Sequence, residues 1–330
     1  MLEEYTSKPR ILLLTERVLQ LGNFRSLQEA FDGAFEVHRV FMDDAWASSI
    51  SEIAGRNDFD AAISFVRFSQ LVNRPSFDWK GFSGVRIAYD QDVSQDAFNL
   101  SGDRTFRGAW HGTMRRYDFD ILVCTNRSSA ERLGRQGIRT AWVPKAYDAS
   151  VFHDLGRRRN GAVHYGSTYP PRQAMLRAIR RRGIPVRQVD APYSMLNDAL
   201  NDFAIALVCT MQMRPIIPSS WVARRLGWFG QRLLPGPEVM LKNFEAAGAG
   251  CAVFCDASPD LDALGFRDGE HVVTYKNFTQ LGDRLEQFLA DPDDLEAIRR
   301  RGAAFCREHH TWDKRMLLFD QLVRGGELAV

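Results

Sequence analysis

The chain has 330 residues, 45% of them hydrophobic and 25% charged, with 43 Lys and Arg against 41 Asp and Glu for a net charge of +2. That balance supplies no overall basic field of the kind that marks a nucleic-acid binder, and the length exceeds what one core usually serves, so two domains of roughly 150 residues are expected. No apolar run nears the roughly 18 residues of a membrane span, and MLEEYTSKPR does not read as a signal peptide. The five cysteines lack CxxC or Cys/His spacing. They read as buried thiols of a reducing cytosol, which predicts a cytoplasmic protein with no zinc.

In chain order, RILLLTE (10–16), FEVHRVF (35–41), FDAAISFV (59–66), GVRIAYD (84–90), FDILVCT (119–125) and RTAWVP (139–144) read as strands, with amphipathic helices at 23–32, 45–55 and 127–136. Strands alternating with helices of this length give βαβ units and a mainly parallel sheet. Span 91–117 is rich in Asp, Ser and Gly and reads as one long functional loop. KAYDASVFHDLGRRRNG, near 145–160, breaks the rhythm as a linker. A second series follows, with strands at 161–167, 184–190, 203–210, 250–256 and 270–275 and helices at 170–182, 238–248, 278–290 and 293–308. The reading is α/β, two Rossmann-like domains in tandem. The arginine runs at 157–159, 180–182 and 299–301 read as solvated faces and loops.

Common nucleotide motifs are missing. There is no GxGxxG after the first strand, no GxxxxGK[ST] loop and no GxSxG elbow, which removes the main support for a dehydrogenase, a P-loop NTPase or an α/β-hydrolase. VHYGSTYPPRQAML (163–176) is more productive. A strand ends in Gly166 and Ser167, and a helix opens near Pro171 with Arg172 in its first turn. Free N–H groups at such a helix start, a close-approach glycine and a forked arginine would suit a phosphate. The bland alternative is an ordinary strand–turn–helix with a surface arginine.

Glu245 poses a separate question. In a helix over 238–248, Glu238, Lys242 and Glu245 fall along one face, with Glu245 in the last turn, where the helix dipole disfavours a negative charge. Accepting hydrogen bonds from a vicinal diol, such as a nucleotide ribose, is one reason to keep it there. Ala246, Ala247, Gly248, Ala249 and Gly250 would let the helix press close to a sheet and a ligand. The alternative is a solvent-exposed glutamate beside a tight turn.

KNFEAAGAGCAVFCD (242–256), LGFRDGEHVVTYKNFTQLGDRLEQFLADPDDLEAIRRRGAAF and REHHTWDKR together resemble the C-terminal domain of GT-B glycosyltransferases of the group-1 type, and more narrowly the CgeB-like branch. VHYGSTYPPRQAML resembles that family's phosphate turn, and YDFDILVCTNRSSAERLGRQGIRTAWVPKAYDASVF its closing N-domain segment. The resemblance implies a GT-B fold with parallel sheets facing an interdomain cleft. It implies an acceptor domain at 1–155, completed by a returning helix at about 312–330, and a donor domain at 156–311. It also implies a nucleotide-sugar donor held by Gly166, Ser167, Arg172, Lys242, Glu245 and Gly248, with no cofactor and no metal. Related retaining families carry two glutamates with seven residues between them. Here Glu238 and Glu245 have six, and the position that would hold the first is Pro237, so retaining and inverting chemistry both stay open.

Catalysis is expected at strand ends of the first domain. AYDQDVSQD places Asp90 and Asp92 there, and His111 follows; a carboxylate or imidazole so placed would take the acceptor's proton. Asp90 and Asp92 equally suit a turn cap, and His111 a helix start. DQD matches a metal-binding DxD triplet, yet DFD and DLD triplets recur in the chain. The expected enzyme is a glycosyltransferase of the hexosyl or related type. Its acceptor would be a glycan, protein, metabolite or modified DNA base. PIIPSSWVARRLGWFGQRLLPG (215–236) would help dock it or else form a buried or homodimer contact. An epimerase or hydrolase on the same fold and a non-catalytic glycan- or nucleic-acid-binding protein are the alternatives.

Overall fold

The structure, a computed structural model, describes residues 7–20, 22–42, 46–56, 58–92, 106, 108–157, 159–210, 212–216, 230–234 and 238–328. The chain divides into two units, Met1–Ala146 with Thr311–Val330, and Tyr147–His310.

The first unit holds six parallel strands: β1 (Arg10–Thr15), β2 (Glu36–Phe41), β3 (Ala61–Phe65), β4 (Val85–Asp90), β5 (Ile121–Cys124) and β6 (Thr140–Trp142). Their order is β2-β1-β3-β4-β5-β6. The runs ILLLT, AAISF and ILVC are buried at every position, the signature of central parallel strands covered on both faces. Around them lie α1 (Asn23–Ala34), α2 (Trp46–Ala54), α3 (Phe68–Asn73), α4 (Ala109–Tyr117) and α5 (Arg127–Arg135). Span 91–117 is therefore not one irregular loop: its last third is the helix α4. Trp110, fully buried, stacks on Phe68 with centroids 4.1 Å apart. Tyr117 donates its hydroxyl to Leu71 O at 2.9 Å, and Trp79 Nε1 donates to Tyr117 O at 2.7 Å. Aromatic burial outweighs the polar composition that reads as loop.

The second unit holds β7 (Ala162–Tyr165), β8 (Val186–Val189), β9 (Ile205–Val208), β12 (Ala252–Asp256) and β13 (Val273–Tyr275), all parallel, in the order β13-β12-β9-β7-β8. β10 (Gln212–Ile216) and β11 (Gly230–Leu234) pair antiparallel beside it. The rest of segment 215–236, and Pro237, lie outside the described residues. The helices are α6 (Pro170–Arg181), α7 (Tyr193–Leu200), α8 (Leu241–Gly248), α9 (Pro259–Ala263), α10 (Phe278–Ala290) and α11 (Pro292–His309). All five cysteines are buried and free. Among the described residues no helix is long and apolar enough to cross a membrane.

The last helix, α12 (Trp312–Val323), belongs to the first unit. Its Phe319 is fully buried, 5.1 Å from both the Phe31 and Tyr89 rings in edge-on geometry. Edge-to-face aromatic packing of this kind adds to the area buried. Phe319→Ala should therefore cost about 3–5 kcal/mol, read as a lowered urea midpoint. A loss below about 1 kcal/mol would show that α12 is not integral to that core.

Candidate functional site

In both sheets the strand order reverses direction beside the first strand of the unit, and open α/β sheets bind ligands at the carboxyl ends of strands at such a switch point. In the second unit this point lies between β7 and β9. β7, buried at all four positions, ends at Tyr165 and runs into Gly166 and Ser167, both exposed. Gly166 has φ +72°, and a Cβ there would stand 2.6 Å from Lys242 Nζ. The left-handed backbone there favours glycine, and the lysine end would have to shift for any larger residue.

Lys242, in the first turn of α8, donates its ammonium to Tyr165 O at 2.5 Å and stands 5.0 Å from the Tyr165 ring centroid. Burial, with the nearby Arg172 charge, lowers its pKa to about 7 against the partial support of Glu245. Tyr165 Oη lies 3.1 Å from Lys242 O and 3.5 Å from Glu245 Oε2. The second contact is a long one.

Glu245 is not an exposed helical glutamate. It is 3% exposed, and among the described residues its Oε1 has no hydrogen-bond partner. Burial pushes its pKa up to about 7, opposed by hydrogen bonds from Tyr193 and Tyr165 and by the Lys242 charge. The tight packing comes from its small neighbours. Ala246, Ala247, Gly248 and Ala249 are buried, and a Cβ on Gly248 would overlap the Tyr147 ring. The glycine at 248 is thus required by Tyr147. Glu238 is buried too, but it precedes α8, which starts at Leu241, so the three-residue helical face expected from sequence is not formed.

The 166–172 turn differs from its sequence reading in one respect. Pro170 and Pro171 open α6 and carry no N–H, and Arg172 N donates to Tyr169 O at 2.9 Å. The helix start therefore offers no free N–H at its first three positions. Arg172 is not a surface residue either, being 3% exposed. Its Nε donates to Cys209 O at 3.0 Å, its Nη1 to Ser167 O at 2.7 Å and to Ser167 Oγ at 3.2 Å. The guanidinium lies 4.3 Å from the Tyr169 ring centroid. Arg172 builds the turn across the switch point, from β7 to the end of β9. Among the described residues, the cations at the turn are Lys242 and Arg172.

In the first unit, Asp90 is buried at the end of β4 and accepts from Asp92 N at 3.0 Å, an Asx turn. Asp92 is 63% exposed, with Lys145 Nζ 3.9 Å from its Oδ1. His111 sits half-buried on α4, on a helix and not inside a loop. Residues 93–105, between these groups, lie outside the described residues. Among the described residues no three His, Cys, Asp or Glu side chains converge as a metal-binding group.

Tyr165 and Tyr193 were not singled out from sequence. A tyrosine closing an apolar strand reads as core, and nothing local ties Tyr193 to a glutamate 52 positions on. Arg159 and Arg299, read as solvated, are buried, with side chains 2% and 9% exposed.

Comparison with known proteins fits this geometry. The fold is that of GT-B glycosyltransferases. Sucrose-phosphate synthase from Thermosynechococcus elongatus superposes with TM-score 0.63 at 12% identity, over 96% of this chain and 99% of that one. Anabaena HepE in complex with UDP and glucose gives 0.60 at 11% identity, over 96% and 100%. An α-glucosyltransferase in complex with UDP-glucose and DNA containing an abasic site gives 0.56 at 10%, over 96% and 100%. Residues 158–321 match the family described as glycosyl transferase-like. No curated protein matches in sequence.

The buried pair has a pH signature. Glu245 is raised from 4.5 to about 7, so its contribution to stability is fully present below 4.5 and lost as pH rises through 7. Lys242 is lowered from 10.5 to about 7, so its contribution is present above 10.5 and lost as pH falls through 7. The pair thus destabilises the fold most near neutrality. Glu245→Gln should abolish its share of the fall between pH 5 and 7, on the order of 2 kcal/mol by linkage at about 1.4 kcal/mol per pKa unit. Urea midpoints at the two pH values give the answer, and parallel losses in variant and wild type would refute the burial argument.

Proposed function

We propose that this protein is a glycosyltransferase that moves a sugar from a nucleotide-sugar donor to an acceptor hydroxyl without a metal ion. The observation that carries the reading is the buried Glu245 carboxylate, with an unfilled acceptor atom, beside the Gly166–Ser167 turn at the switch point of the unit that carries the glycosyl transferase-like family match. In this reading the donor ribose bonds Glu245. The diphosphate lies against Gly166 and Ser167 under Lys242 and Arg172, and Gly248 lets α8 pack closely. The CgeB-like branch is the finer placement, supported by KNFEAAGAGCAVFCD. A reducing cytosol suits five free buried thiols.

The acceptor oxygen attacks the anomeric carbon, the bond from that carbon to the diphosphate oxygen breaks, and a base takes the hydroxyl proton. Positive groups at the turn stabilise the charge that develops on the departing diphosphate. Asp92 is the base we favour over His111 and Asp90. It is the exposed member of the three, on a turn fixed by Asp90, whereas Asp90 is buried.

UDP, the nucleotide in the HepE structures, is the first ligand to try. Glu245→Ala should weaken its binding by about 1.5–3 kcal/mol, the range for hydrogen bonds to a charged group. Equal affinity in calorimetry would refute the ribose assignment. Asp92→Asn should lower kcat by ~10²–10⁴ with UDP affinity nearly intact. Retention of more than a tenth of wild-type kcat would remove Asp92 from the mechanism. Turnover should also survive EDTA, and complete loss on chelation, restored by manganese, would overturn the metal-free reading.

A further inference from the structure

We propose that Arg159 is a positioning residue for the nucleotide site, because its guanidinium ties together the C-terminal caps of the two helices that bring Glu245 and Tyr193 to one point. The inference rests on reading Glu245 as the ribose-binding group.

Arg159 precedes β7 by three residues, at the opposite end of that strand from Gly166. Its Nη2 donates to Ala249 O at 2.7 Å, to Asn201 Oδ1, and to Asp154 Oδ1 at 2.7 Å. Its Nη1 donates to Leu200 O and Phe203 O, each at 3.3 Å. Ala249 closes α8 and Asn201 closes α7. One nitrogen therefore holds both caps. Helix ends leave their last carbonyls without intrahelical partners, and a cation there is favoured by both helix dipoles.

α7 runs from its cap back to the carboxylate, which lies in the last turn of α8. Glu245 stands one turn above the cap, with Ala249 N donating to Glu245 O at 2.8 Å. Tyr193, whose hydroxyl bonds the Glu245 carboxyl, is the first residue of α7. α7 has eight residues, about 12 Å of helix at 1.5 Å per residue. A shift at the caps is therefore carried one turn along α8 to Glu245 and along the length of α7 to Tyr193.

The anchor is itself held. Asn201, fully buried, accepts from Leu155 N at 2.7 Å and donates to His153 O at 3.0 Å. Gly250 has φ +85°, and a Cβ there would meet Asp154 Oδ2 at 2.7 Å and Arg159 Nη2 at 2.9 Å. Arg299 Nη1 donates to Gly250 O, with Asp154 Oδ2 3.6 Å away. Burial pushes the Asp154 carboxyl up. The hydrogen bonds from Arg159 and Gly156 N–H and the charges of both arginines outweigh this and hold it below its ordinary value. Two cations and one carboxylate thus pin the turn that leaves α8.

A misplacement of about 1 Å in a binding constellation can cost ~10²-fold. The test is calorimetric binding of UDP and of 2′,3′-dideoxyuridine diphosphate to wild type, Arg159→Lys, Glu245→Gln and the double variant, well below each melting temperature. Arg159→Lys keeps the charge and loses the fork. It should lower UDP affinity at least tenfold, leave the dideoxy nucleotide nearly unchanged, and cost little more once Glu245 is Gln. A purely structural anchor would weaken both nucleotides equally or neither, and either result would overturn the proposal. If Glu245→Gln itself binds both nucleotides as wild type does, the ribose reading has failed instead. Should Arg159→Lys not fold, Asn201→Ala removes the Arg159 contact to the α7 cap, together with the Asn201 bonds to Leu155 N and His153 O, and the same comparison decides.

Discussion

A carboxylate withdrawn from water in the last turn of a helix is a costly thing to build, and the second unit is arranged around one. Glu245 loses hydration and faces the negative end of its own helix. Its compensation comes from elsewhere in the fold: the Tyr165 hydroxyl at the end of β7, Tyr193 at the start of α7, and the Lys242 charge one turn earlier on α8. Those three can reach it only because α8 lies close on the sheet, and α8 lies close because its last turn has almost no side chains. The same packing makes residue 248 a glycine under Tyr147 and residue 250 a glycine against Asp154.

The electrostatics follow from that burial. Glu245 and Lys242 share an enclosed corner, and burial moves their pKa values toward each other, to about 7 in each case. Burial thus disfavours the charged form of both groups near neutrality. An arriving anion favours the ammonium, and an arriving hydroxyl favours the carboxylate. On the proposed reading, a nucleoside diphosphate, which carries both, would favour the charged state of the pair. Perturbed groups of this kind mark functional sites because folding alone gains nothing from them.

Much of the fold was legible because parallel strands read as unbroken apolar runs, and all eleven expected strands are found. The helix α4 was not, since its signal is two aromatic anchors in a polar segment, and those anchors find their partners, Phe68 and Leu71, some forty positions earlier. At the site, Glu245 was legible as a charge with no local reason to be there. Arg172 was legible in place but not in role: the sequence shows a fork near a glycine, while the bonds to Cys209 and Ser167 exist only once β9 lies beside β7. The phosphate role expected of the α6 N-terminus fails on chemistry already in the sequence, because two prolines supply no N–H.

The arginine runs show why a charge cluster is not one object. Along α11, successive residues point about 100° apart. Arg299 accordingly turns inward to Gly250 O, Arg300 pairs with Glu296 one turn back at 2.6 Å, and Arg301 reaches Glu270 O at 3.1 Å. In the 157–159 run, Arg157 pairs at the surface with Asp198 while Arg159 is enclosed. In the 180–182 run, Arg182 pairs with Asp283 at 2.7 Å and Glu286 at 3.3 Å. A nucleic-acid surface needs cations that face outward together and are free to neutralise phosphates. Here each run gives members to carbonyls or carboxylates of its own fold, so the clusters that supported a non-catalytic polynucleotide-binding reading are largely committed to internal contacts.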